Sequence, residues 1–147
     1  MSLRRLSKDT PRASFGTVLA PVRPTFRAIA ATVVPEADRL DELAWVELEA
    51  IVSDALASRP AKLQRQLLLF IRIVEWLPLA RFGRRFTRLG PSRRVRVLRG
   101  LQDAPVLLLR RGCWGLRTLI LMGFYGRQEA QREIGYRANA RGWEARR

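Results

Sequence analysis

The chain is predicted to be all-α, a single compact helical domain of about five to six helices with flexible N- and C-terminal arms. Its 147 residues are 48% hydrophobic, which supports one domain with a real core and argues against disorder throughout. Apolar residues recur at spacings of three and four, and no stretch alternates like a strand bounded by hairpin turns. Prolines at positions 24, 35, 60, 78, 91 and 105 open or close these helical runs. On this pattern residues 1–23 form an N-terminal arm, 24–136 the helical domain and 137–147 a basic C-terminal tail.

Pro24 opens the first helix, with Phe26, Ile29, Ala30, Val33 and Val34 as its apolar set, and Pro35 closes it. Asp38 is the predicted N-cap of the second helix. That helix is expected to bury Leu40, Leu43, Ala44, Leu48, Ile51, Val52 and Leu56, with acids in its first turn favoured by the helix dipole. Ser58-Arg59-Pro60 starts the third helix, whose apolar set is Leu63, Leu67, Leu68, Phe70, Ile71, Val74 and Leu77. Pro78 is predicted to end it, because proline lacks an amide donor and disfavours a helical residue before it. Residues 79–89 then form a short helix or turn.

Gly90-Pro91 begins a basic helix in which Val95, Leu98 and Leu101 form the apolar stripe, and Ala104-Pro105 breaks it. The last long helix runs from about Val106 to Tyr125 and stops at Gly126. It is apolar around most of its circumference, which places it at the centre of the core. It is not read as a membrane span, because Arg110, Arg111 and Arg117 would each cost about 3 kcal/mol at a bilayer centre. A short helix around Gln128 to Ile134 leads into the tail.

Much chemistry is excluded by composition. Histidine is absent and Cys113 is the only cysteine. That removes Ser-His-Asp and Cys-His catalysis, an intrachain disulfide and a zinc site of ordinary ligand type. No phosphate-cradling glycine loop or Rossmann fingerprint is present. Cys113, inside an apolar helix, reads as a buried structural thiol, and the acid pairs Asp41-Glu42 and Glu129-Glu133 read as solvated. No catalytic, cofactor-binding or metal-binding residue is assigned.

The formal net charge is +15 and is almost all arginine; Lys8 and Lys62 are the only lysines. Arginine pairs carboxylates and phosphates through a planar fork, so the charge points to an acidic partner: an acidic protein face, nucleic acid or an anionic membrane surface. The charge is uneven. Between Glu36 and Asp54 seven acids stand against Arg39 alone, and from Arg59 onward the chain is strongly basic. An acidic helix inside a basic domain is able to pair with its own neighbours.

Two helical faces carry the composition of an interface hot spot. On the third helix Arg65 and Arg72 share a face with Leu69 and Trp76. On the last long helix Arg110 and Arg117 share a face with Trp114 and Leu121. The competing reading is that these rings lie against other helices of the domain with arginine stems covering them. A second basic cluster holds Arg81, Arg84, Arg85 and Arg88, extended by Arg93, Arg94, Arg96 and Arg99. Phe82 and Phe86, spaced i and i+4 within it, point to burial rather than base stacking. Arg84 and Arg85, with the residues of the two faces, are the candidate partner-binding positions.

The order of several short motifs carries a resemblance. Phe82-Gly83-Arg84-Arg85-Phe86 is followed by Pro91 and a basic helix ending at Leu101. Ala104-Pro105 comes next, then Phe124-Tyr125-Gly126, then Ile134-Gly135-Tyr136. Upstream, the Phe26 to Pro35 segment ends in a valine-proline step. This succession, spanning Pro24 to Tyr136, resembles the gluconate 2-dehydrogenase subunit 3 family, the small helical subunits of flavin-dependent (GMC-type) dehydrogenases. The resemblance implies a noncatalytic subunit that binds and stabilises a larger oxidoreductase subunit in a hetero-oligomer. FAD would be held by that partner and no cofactor by this chain.

Members of that family commonly carry a twin-arginine export signal. Arg4-Arg5 faintly resembles one, but Asp9, Pro11 and Arg12 follow where such a signal needs an apolar run. The first 22 residues therefore read as a flexible or partner-draped arm, and the expected location is cytoplasmic, or periplasmic if a partner carries the chain. The alternatives are a basic helical nucleic-acid-binding protein and a peripheral membrane-binding protein with its arginine and tryptophan faces on anionic lipid.

Overall fold

The computed structural model describes residues 18–133, and among them the regular structure is entirely helical. The elements are α1 (Arg23–Val33), α2 (Glu42–Ala57), α3 (Ala61–Phe82), α4 (Pro91–Gln102), α5 (Leu107–Tyr125) and α6 (Gln128–Glu133). Short 3-10 turns lie at Ala20–Val22, Pro35–Arg39 and Phe86–Arg88. The C-terminal tail, most of the N-terminal arm and the Ile134-Gly135-Tyr136 motif fall outside the described residues. No helix in the described residues is long and apolar enough to cross a membrane.

As its apolar circumference predicts, α5 packs against α1, α2, α3, α4 and α6. Phe26 and Ile29 of α1, Leu48 and Val52 of α2, Ile71 and Val74 of α3, and Leu116 and Ile120 of α5 form the centre of one core. Burying aliphatic side chains of this size contributes roughly 1.5–3 kcal/mol each. The helical body begins before Pro24. Leu19 and Val22, assigned to the arm from sequence, are fully or nearly fully buried in the core, and Arg23 already belongs to α1.

Two glycines allow α5 its central place. A Cβ at Gly123 would lie 2.7 Å from Val52 Cγ2 and 3.2 Å from the Leu48 carbonyl oxygen, so α2 approaches α5 by backbone contact. A Cβ at Gly112 would lie 2.6 Å from Cδ2 of Phe70, whose ring brings α3 in. Gly115, on the same helix, faces open space.

Three helix details differ from the sequence expectation. Asp41, not Asp38, caps α2: its Oδ1 accepts from the Ala44 amide at 2.8 Å, while Asp38 sits in the preceding 3-10 turn. Leu43 is 80% exposed and Trp45 is buried in its place. The two residues are about 200° apart around the helix, so rotating the stripe to Trp45, Leu48, Val52 and Leu56 turns Leu43 outward. On α3 the same selection leaves Leu63 and Leu77 about half exposed.

Pro78 does not end α3. The helix continues to Phe82 with Pro78 buried inside it. Interior proline costs about 3 kcal/mol through a missing amide donor and a clash with the carbonyl four residues earlier. Core burial of Val74 and Pro78 on the same face offsets that cost. The actual stop is Gly83, in the left-handed region at φ 67, whose amide donates to the Leu79 carbonyl at 3.0 Å.

The acidic helix pairs inside its own domain. Glu49 of α2 is 3% exposed, and its carboxylate meets Arg27 Nε at 2.5 Å and Arg23 Nε at 3.1 Å, both from α1. Arg27 also sends its two terminal nitrogens to Glu42, at 2.9 and 2.8 Å, and lies 5.2 Å from the centre of the Trp45 ring. The fork holds the Glu42 carboxyl below the ordinary glutamate range and raises Arg27 further. Because the folded value of Glu42 is the lower one, its stabilisation is present above the ordinary value of 4.5. That stabilisation is lost as pH falls through the folded value, and it is small because Glu42 lies at the surface.

Two stability tests follow from this packing. Gly123→Ala is expected to destabilise by about 1–3 kcal/mol through overpacking. Gly115→Ala is expected to stabilise by up to about 1 kcal/mol through helix propensity. Urea unfolding of both variants checks the opposite signs. Glu49→Ala removes the buried carboxylate that Arg23 and Arg27 share, and is expected to cost about 3 kcal/mol at neutral pH. An unchanged midpoint in the same assay would count against the buried pair as an anchor.

Candidate partner-binding surface

The basic segment after α3 is held in place by polar contacts from three helices. The Glu75 carboxylate on α3 accepts from the Thr87 hydroxyl at 2.7 Å, the Thr87 amide at 3.2 Å and the Thr25 hydroxyl of α1 at 3.2 Å. From α4, Arg94 donates Nε to the Phe86 carbonyl at 3.2 Å and a terminal nitrogen to the Thr87 carbonyl at 2.7 Å. Phe86 is fully buried beneath this clamp. The 3-10 turn Phe86–Arg88 is therefore fixed to α1, α3 and α4 together, and the residues before it inherit that placement.

Arg85 comes just before the turn, and its guanidinium stands 5.0 Å from the centre of the Trp76 ring. Trp76 is 53% exposed. Arg65, Leu69 and Arg72, its predicted neighbours on α3, are exposed as well, with Leu69 at 58%. All four positions on α3 are thus exposed, and the arginine on Trp76 comes from the following segment. Arg84, beside Arg85, is also exposed.

On α5, Trp114 is 54% exposed and the Arg117 guanidinium lies 6.0 Å from its ring centre. Arg110 is exposed on the same helix. Leu121, grouped with them from sequence, is instead partly buried against the core. Neither tryptophan is covered by neighbouring helices to the extent expected of a core ring. Arginine-on-ring contacts of this kind contribute about 0.5–1 kcal/mol at exposed positions, so they orient the guanidiniums more than they stabilise the fold.

The sequence places Phe82 within the second basic cluster but does not show which arginines meet its ring. Phe82, at the end of α3, is half-buried and carries two guanidiniums, Arg81 at 5.7 Å and Arg93 at 5.4 Å from the ring centre. Gly83 separates Phe82 from Phe86, so the i, i+4 pair does not form a single helical face. A signal was present in the chain: residues 76–102 contain eight arginines and not one acid. The arginines at 81, 84, 85, 88, 93, 94, 96 and 99 form no ion pair with a described carboxylate.

Cys113 is half-buried rather than fully buried. Burial pushes its thiol up against an opposing pull from Arg117, and Sγ approaches the Leu98 carbonyl at 3.9 Å. The protonated thiol that results at neutral pH is a poor nucleophile.

An amide in place of the Glu75 carboxylate keeps one oxygen for the Thr87 amide, but its NH2 then faces the Thr87 hydroxyl that now donates, and all three bonds lose their ionised acceptor. Glu75→Gln is therefore expected to lower stability by about 1–2 kcal/mol in urea titration. Loosening of the turn is also expected to redshift Trp76 emission, measured in a background lacking the other tryptophans. No family model, curated protein or solved structure matches the chain.

Proposed function

We propose that this chain is a noncatalytic small subunit that binds and stabilises the catalytic subunit of a FAD-dependent, GMC-type oxidoreductase. The observation that carries the binding role is the acid-free stretch 76–102, whose arginines pair with no described carboxylate and three of which, Arg81, Arg85 and Arg93, stand on the exposed or half-exposed rings of Phe82 and Trp76. The type of partner comes from the resemblance of the ordered motifs to gluconate 2-dehydrogenase subunit 3 proteins. In this reading Trp76 and Trp114 with their arginines contribute binding energy at the centre of the contact. Arg65, Leu69, Arg72, Arg84 and Arg110 lie around them. The partner holds FAD and performs the hydride chemistry, and the complex is cytoplasmic.

A nucleic-acid partner is the second reading, favoured by the same run of arginines, which suits phosphates as well as carboxylates. The exposed leucines at 69, 77, 79, 107 and 108 weigh against it, since a phosphate backbone has little to cover them with. Purification of the tagged protein from its native host, with mass spectrometry and a flavin absorbance scan, tests the first reading. The expected result is a co-purifying FAD-containing dehydrogenase in stoichiometric amount. Recovery of the chain alone, stable and monodisperse, would sink the proposal. A complex that dissolves steeply with salt and carries nucleic acid would favour the second.

A further inference from the structure

The geometry points to a docking groove for an acidic amphipathic helix of a protein partner, lying between the C-terminal half of α3, α4 and the start of α5. This rests on the reading of the chain as a binding subunit, and adds the surface and the chemistry of what it receives. The groove encloses about 360 Å³ and its walls are predominantly apolar, among them Leu77, Pro78, Phe82, Val97 and Leu109. Its charged lining residues are Arg81 and Arg96, both exposed.

Charge complementarity decides the occupant. Arg81 and Arg93 both converge on the Phe82 ring at the edge of the groove, so positive charges are gathered there without a counter-charge among the described residues. Glu75, the acid before this stretch, is taken up by Thr25 and Thr87. Asp103, the acid after it, forms no ion pair with these arginines. A partner carboxylate would meet guanidiniums already oriented by an aromatic ring, in the planar fork that pairs carboxylates bidentately. Between the arginines lies an apolar strip suited to leucine- or phenylalanine-type anchors at helical spacing, as in helix-in-groove recognition. Nucleic acid fits less well: the Phe82 face that would stack a base already carries this chain's own guanidiniums.

Selection of a displayed random library of about 16 residues, long enough for roughly four helical turns, against the full chain tests this without any flavoprotein. The enriched peptides are expected to carry Asp or Glu flanking apolar residues at i, i+3, i+4 and i+7. Their affinity is expected to fall at least about ten-fold in the Arg81→Glu/Arg96→Glu double variant, and also in Leu77→Glu, as for central interface positions. Circular dichroism checks that these exposed substitutions leave the fold intact, and Arg81→Gln/Arg96→Gln replaces the double variant if it unfolds.

No enrichment, enrichment without carboxylates, or equal binding by the variants overturns the inference. So does tighter binding of a duplex DNA or of phosphatidylserine vesicles at the same groove. Flavoprotein capture is scored separately. If the wild type and the double variant retain it equally, the groove is wrong and the subunit reading stands. If the peptides behave as expected and no flavoprotein is recovered, the groove stands and the identity of the partner falls.

Discussion

Glu49 lies almost wholly out of water between α1 and α2, and Arg23 and Arg27 neutralise it there. A carboxylate buried without such partners would be strongly destabilising, so the pairing constrains how α1 and α2 meet. Through α2 it also governs the core, because the same helix lays Leu48 and Val52 against Gly123 of α5. Glu42 adds a second grip on Arg27 at the surface. Glu42 and Glu49 of α2 are thereby engaged at one part of the fold. The arginines beyond residue 76 lie elsewhere and find no described acid.

That separation of charge gives the net +15 a location. Around the turn Phe86–Arg88, the arginines divide into two groups by what they touch. Arg94 is consumed structurally, donating to the Phe86 and Thr87 backbone carbonyls. Arg81, Arg85 and Arg93 rest on the rings of Phe82 and Trp76 and keep their hydrogen-bond donors available. The clamp of Glu75, Thr25 and Thr87 connects the groups, since a rigid turn is what holds the neighbouring guanidiniums in one arrangement. Preorganised donors of this kind lose less entropy on binding than freely rotating ones.

The helices were largely legible in the chain because apolar spacing and proline or glycine punctuation are local signals. α1, α4 and α5 begin within a residue of where these signals put them, and α5 ends where they do. The failures share a different cause. Leu43 and Leu77 fit an apolar stripe, yet a stripe on one helix does not state which arc of it neighbouring helices will cover. Pro78 carries a strong local stop signal, and the core overrode it. Gly112 and Gly123 look like helix-weakening residues in sequence, although each is where another helix comes close. Of the candidate binding residues, the exposed Arg and Trp positions were legible from their spacing. The Phe82 cluster was not, because Arg81 and Arg93 reach that ring from different helices.

Composition and periodicity alone establish an all-helical, arginine-rich chain with no histidine and one thiol, and they establish which faces of each helix are able to pack. These are properties of single residues and single helices. Tertiary contact settles the remainder: that Glu49 is buried with α1 arginines, that Trp76 and Trp114 stay half in water, and that α3, α4 and α5 leave a groove edged by guanidiniums that pair with no described carboxylate. Burial and ion pairing are relations between elements far apart in the chain, and their energies exist only once those elements meet.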